Sequence, residues 1–203
     1  MSSDWYNKSL LILGCGNVLF GDDGFGPAVA HYIQNNFTVN PDICVLDTGT
    51  SVRNVLFDVV LSDKKPAKII ILDAMDCGRE PGELFTLDLD DLPEVKIDDF
   101  SFHQLPTSNL LRELQNIVGV EIVILACQVA YIPDRVKPGL SSPVAQAVEH
   151  AVEMLSREHF ADFDRLNSDG DILELSSLTG EGLGFRFAGI RDTTPRYRRK
   201  QAR

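Results

Sequence analysis

Two periodicities alternate along the first 160 residues of the chain. Residues 9–14, "SLLILG", form a short apolar run closed by a turn signal, the pattern of a strand buried on both faces. Residues 25–37 switch to helical spacing, with Phe25, Ala28, Val29, Tyr32 and Ile33 at i, i+3, i+4, i+7 and i+8. A second strand is predicted at 43–47, "ICVLD". A second helix is predicted at 51–61, where Val52, Val55, Leu56 and Val59 share one face. "KIIILDA" at 68–74 is the plainest strand signal in the chain. Only "MDCGREPG" separates it from a further strand, "ELFTLDL" at 83–89. That link is too short for a parallel crossover, so the two strands are expected to run antiparallel. A polar loop then leads to a helix at 106–118, a strand at 121–127 ("EIVILAC") and a helix at 142–155. The last helix reads with Ser142 as N-cap and Pro143 in the first turn, and Val144, Val148, Val152 and Leu155 as its buried stripe.

Strands alternating with helices imply an α/β fold. The expectation is a three-layer sandwich: a five-stranded, mostly parallel sheet with one antiparallel strand and helices on both faces. The pattern weakens after residue 159. Residues 1–159 therefore read as the domain, and 160–203 as a C-terminal extension outside the core, partly mobile. No internal repeat is present.

Charge and cysteine usage narrow the function classes. The formal net charge of -11 argues against general nucleic-acid binding and against docking on an anionic membrane. Cys15, Cys44, Cys77 and Cys127 form no CxxC pair, which disfavours a zinc site and suits free thiols in a reducing compartment. No apolar run reaches membrane-spanning length and the N-terminus lacks signal-peptide character, so a cytoplasmic protein is expected; a monomer is the separate expectation for its oligomeric state.

Three motifs carry candidate chemistry. Gly14 and Gly16 begin a GxGxxG, but Leu19 holds its third position and Asp47 follows Gly14 at a long interval for a ribose-binding acid. Asp22 and Asp23 would also repel a pyrophosphate, so the glycines read better as a tight turn. "VLDTGTS" at 45–51 is the active-site pattern of a pepsin-like aspartic protease. That chemistry needs two such aspartates, and the helical periods contradict the all-β fold. The plainer reading has Asp47 binding backbone N–H groups in the following turn. The third motif is a constellation. In a mostly parallel sheet, functional groups collect beyond the carboxyl ends of the strands. Asp23 follows the first strand, Asp73 ends the third, and His103 precedes a helix whose N-terminus lies at that edge. Two carboxylates and an imidazole suit a first-row divalent metal with open positions. The same residues have simpler roles available, His103 as a helix cap and Asp73 as a strand end.

Taken in order, these segments resemble the endopeptidases that mature nickel–iron hydrogenases. The resemblance rests on "GCGN" through "DDGFG" at 14–26, Asp47-Thr48-Gly49-Thr50, Asp73-Ala74, His103-Gln104 and Gly139-Leu140-Ser141, spanning residues 9–155. "FHQLPTSNLL" and "ACQVAYIP" are most similar to the branch serving coenzyme F420-reducing hydrogenases. Nothing carries over to 160–203.

The resemblance implies removal of a C-terminal peptide from the hydrogenase large-subunit precursor after nickel insertion. It implies that Asp23, Asp73 and His103 meet that nickel. The nickel comes with the substrate precursor, and no permanently bound cofactor is expected. The metal would polarise the scissile carbonyl or generate hydroxide from bound water. Alternatively, Asp23 or Asp73 serves as general base, an aspartic-type reaction. A non-catalytic, metal-sensing chaperone of the precursor is the competing function. Of the paired acids, Asp22 is expected to tolerate conversion to Asn better than Asp23.

Overall fold

The structure is a computed structural model that describes residues 7–87, 89, 106–159, 164–166 and 172–173. The main chain runs β1 (Leu10–Cys15), a 3-10 turn (Gly21–Gly24), α1 (Phe25–Asn36), β2 (Phe37–Thr38), β3 (Ile43–Gly49), α2 (Val52–Leu61), β4 (Lys68–Met75) and β5 (Leu84–Leu87). It continues through α3 (Pro106–Glu113), which passes directly into a π-helical turn (Leu114–Val118), then β6 (Glu121–Gln128), α4 (Ser142–His159), β7 (Asp164–Leu166) and β8 (Ile172–Leu173).

The five long strands form one sheet in the order β3-β1-β4-β6-β5. β1 lies parallel to both β3 and β4, and β4 is parallel to β6. β5 is the reversed strand, as its short link from β4 requires, but its hydrogen-bonded neighbour is β6. β5 therefore crosses past the end of β4 and seals the far edge of the sheet.

Side-chain alternation sends the strands' apolar residues to two separate cores. Leu10 and Ile12 join Ile70, Leu72, Leu125 and Cys127 under α1 and α4. Leu11, Leu13 and Cys15 join Ile69, Ile71, Ile124 and Ala126 under α2 and α3. A one-residue slip of β1 would exchange the two sets. Fully burying one Leu or Ile stabilises by about 1.5–3 kcal/mol, so the register is fixed by packing on both sides. Each helix meets the sheet with the stripe its spacing predicts. Phe25, Val29 and Ile33 are buried on α1, Val52, Leu56 and Val59 on α2, and Val144, Val148, Val152 and Leu155 on α4. The α/β sandwich with helices on both faces is thus the observed architecture.

A second, three-stranded sheet has the order β2-β7-β8. Phe37 pairs with Arg165 and Thr38 with Asp164, both antiparallel. The described part of the 160–203 extension therefore adds strands to the residues that follow α1. Its expected mobility concerns residues outside the described ones.

Candidate functional site

The loop after β1 is shaped by three glycines, each needed for a different approach. A Cβ on Gly14 would overlap the Gly26 carbonyl, and one on Gly26 would overlap the Leu72 carbonyl and the Cys15 backbone. Bare backbone at both positions lets the start of α1 rest directly on the ends of β1 and β4. Gly16 has φ +125° and faces the Asp23 carbonyl, where no side chain fits. The loop then folds onto its own acid. The Asn17 N–H donates to Asp23 Oδ2 at 2.8 Å and to the Asp23 carbonyl at 3.2 Å.

Asp73 stands at the end of β4, partly buried, with its Oδ1 accepting the Ala74 N–H at 2.9 Å. Burial pushes its pKa up from 3.8 to about 7. The Ala74 hydrogen bond opposes that rise, and the charge of Asp23 adds to it. Asp23 and Asp73 thus share the carboxyl edge, close enough for one to resist ionisation of the other. The Cys15 thiol next to them is driven upward first by burial, then by the charges of Asp73, Asp47 and Asp23, with Thr48 opposing. A thiol held so firmly protonated is not a nucleophile.

The loop after β3 supports this edge from the side. Thr48 Oγ1 donates to the Gly14 carbonyl at 2.8 Å, and the Gly16 N–H donates to the Gly49 carbonyl at 3.1 Å. Asp47 accepts the Gly49 N–H at 2.9 Å and pairs with His31 Nε2 at 3.0 Å. Its role is the turn-binding one, and no second DTG segment exists to complete a proton-sharing dyad.

Asp22 departs from expectation. Its side chain is 0% exposed. One oxygen accepts the N–H groups of Ala130 (2.8 Å) and Tyr131 (3.1 Å) and the Ser141 hydroxyl (2.9 Å). The other accepts the Ser141 N–H at 2.6 Å. Four donors and no acceptor require a group that only accepts. An Asn amide would turn donated hydrogens toward at least one N–H group, so conversion of Asp22 to Asn carries a structural cost. Ser141, read as part of a loop motif leading to the last helix, spends its hydroxyl here. Gln128 does comparable work one loop away. Its Oε1 accepts from the Cys77 and Arg79 N–H groups, while Nε2 donates to Asp76 Oδ1 and the Val129 carbonyl. Neither role has a local sequence signal, because the partners lie 49 or more residues away except for the adjacent Val129.

His103 lies outside the described residues. Among the described residues, no three His, Cys, Asp or Glu side chains gather closely enough to hold a metal ion. The described residues present a two-carboxylate edge, with the pKa of Asp73 raised to about 7 by burial. It can offer hard oxygen donors to a cation that arrives with its own ligands.

Comparisons with known proteins converge on one description of the chain's relatives. A family profile described as hydrogenase maturation protease matches residues 27–158. A Methanocaldococcus jannaschii protein provisionally named a hydrogenase maturation protease is 41% identical over 153 residues, covering 74% of this chain and 96% of that protein. The coenzyme F420 hydrogenase subunit delta of Methanothermobacter thermautotrophicus is 32% identical over 157 residues, covering 75% and 96%. Among solved structures, the endopeptidase HycI from Escherichia coli superimposes with a TM-score of 0.58 at 26% identity, covering 73% of this chain and 90% of that one. The match is to maturation proteases with this α/β sandwich. The relatives are hydrogenase maturation proteases, a different protease type, so an aspartic-type reaction is not supported, and the single DTG segment likewise leaves no pepsin-like dyad.

Proposed function

The chain belongs to the hydrogenase maturation protease family, and on that premise we propose that it removes a C-terminal peptide from a nickel-loaded hydrogenase large-subunit precursor, with the coenzyme F420-reducing hydrogenase as its client. The observation that carries the reading is the placement of Asp23, in the turn after β1, and Asp73, at the end of the parallel β4, on one carboxyl edge of the sheet. Two carboxylates on one edge suit a divalent cation that takes oxygen donors from both. His103 supplies the third donor. The ion is cargo of the substrate, so this chain contributes a reader with few ligands. Nickel so placed supplies Lewis-acid chemistry at the scissile carbonyl or at a water. Asp73 releases its proton as it engages. The F420 client is supported by the 32% identity to a subunit of that enzyme and by "FHQLPTSNLL" and "ACQVAYIP".

The test is incubation of the full chain with F420-hydrogenase large-subunit precursor purified with and without nickel, followed by intact-mass measurement. Loss of a C-terminal peptide from the nickel-loaded form alone is the expected result. A stable complex with no cleavage would replace the protease by a chaperone. His103→Ala should abolish cleavage and leave the thermal melt unchanged.

A further inference from the structure

Of the eight large hydrophobic side chains exposed among the described residues, five lie on two segments: Val18 and Leu19 after β1, and Tyr131, Ile132 and Val136 after β6. These segments are bound together. The Lys137 N–H donates to the Leu19 carbonyl at 2.9 Å, and the Gly21 N–H donates to the Lys137 carbonyl at 3.0 Å. Asp22 closes the second segment at both ends, at Ala130–Tyr131 and at Ser141. Val18 and Leu19 directly follow Asn17, whose N–H is held by Asp23. Val18 also lies against Gly24, the residue after Asp23, so the apolar segment begins beside the acidic edge. Lys137 Nζ, 5.0 Å from the Tyr131 ring centroid, is a cation on this surface.

We propose that Asp22 is a positioning residue that clamps residues 130–141 to the glycine loop, and so holds Val18, Leu19, Tyr131, Ile132 and Val136 as an apolar lip on which the large-subunit precursor docks. The occupant follows from continuity. A folded precursor that delivers a bond to Asp23 and Asp73 must lie across the surface beside them, and that surface presents five exposed apolar side chains alongside the charged Asp134, Arg135 and Lys137. Exposed apolar side chains grouped in this way mark an interaction site. The clamp has a physical reason. Thirteen residues, 129–141, connect β6 to α4 without helix or extended strand, and a loop of that length needs internal anchors to present side chains in one arrangement. Asp22 supplies four such anchors from a position that never touches the substrate.

This inference rests on the proposed proteolysis, so the test has a binding arm and a kinetic arm. Wild type, Ser141→Ala, Val136→Asp and Asp22→Asn are titrated with the nickel-loaded precursor for Kd, then assayed for kcat and KM. Val136 is 63% exposed and Ser141→Ala removes one hydroxyl bond while sparing the amide bond, so both variants are expected to fold, which a thermal melt checks. The expected result is a rise in Kd and KM of about tenfold for Val136→Asp and about threefold for Ser141→Ala, with kcat held within about twofold. Asp22→Asn should exceed Ser141→Ala in the same direction, with faster amide exchange at Ala130, Tyr131 and Ser141. Wild-type Kd in Val136→Asp overturns the lip. A fall in kcat with unchanged KM in Ser141→Ala overturns the positioning role. If the wild type binds precursor but cleaves nothing, the proteolytic reading fails and the Kd series still judges the lip.

Discussion

Replacing Asp73 by Asn should disable the protein and stabilise it. The carboxyl is pushed from 3.8 to about 7, mainly by burial. Its raised pKa means that the folded state holds a proton that the unfolded chain has already lost. Below about pH 4 both states are protonated and Asp73 contributes nothing. Between about pH 4 and 7 the unfolded state binds fewer protons, so stability falls as pH rises. Above about pH 7 the cost is fully developed. At about 1.4 kcal/mol per pH unit, the ceiling is roughly 4 kcal/mol. Partial exposure to solvent reduces this to about 1–3 kcal/mol. Asn keeps an oxygen for the Ala74 N–H, fills the same space and carries no charge. The gain should raise Tm by roughly 2–12 °C at pH 8, using about 2–4 °C per kcal/mol for a chain of this size. Urea unfolding of both proteins at pH 8 and pH 5.5, clear of the sequence pI near 4.7, measures the gap. The gap should be wider at pH 8, and cleavage of precursor should be absent. A variant less stable than wild type at pH 8, or a gap that ignores pH, would refute the reasoning.

Other consequences can be checked with the same materials. Precursor cleavage by the wild type should rise between pH 6 and 8 as Asp73 gives up its proton; a flat profile of kcat/KM would show that its ionisation plays no part. Gly16→Ala places a Cβ where the Asp23 carbonyl sits, at φ +125°, and should cost about 1–3 kcal/mol in the thermal melt together with most of the activity. A chain ending at His159 keeps both cores and should still melt cooperatively; failure to fold would show that β7 and β8 are needed to cover the residues after α1.

The architecture was legible wherever a pattern lasted long enough to count. β1, β4 and β6 announce themselves as unbroken apolar runs, and α1, α2 and α4 by stripes that the two cores absorb. The direction of β5 followed from an eight-residue link. Its neighbour did not, because chain length limits direction and says nothing of which edge is free. β2, β7 and β8, at two to three residues each, are too short to carry a period. At the site, Asp23 and Asp73 could be found because strand ends in a parallel sheet converge. The structural role of Asp22 was hidden for the opposite reason. Adjacent residues of one turn face different surroundings, and what distinguishes Asp22 is a set of donors 108 to 119 residues away. His103, argued from its place before a helix, lies among residues outside the described ones.

Those same separations bear on the order in which the molecule comes into being. A contact across 119 residues closes only after the intervening strands have found their places, since its loop entropy must be met before its hydrogen bonds can form. On a ribosome, Ser141 emerges long after Asp22 and after every strand of the main sheet. During that interval Asp22 is a carboxylate without its donors, and residues 18–19 have nothing to lie against. Competence to receive another protein therefore arrives with the completion of the fold, and an unfinished chain offers its client no place to land.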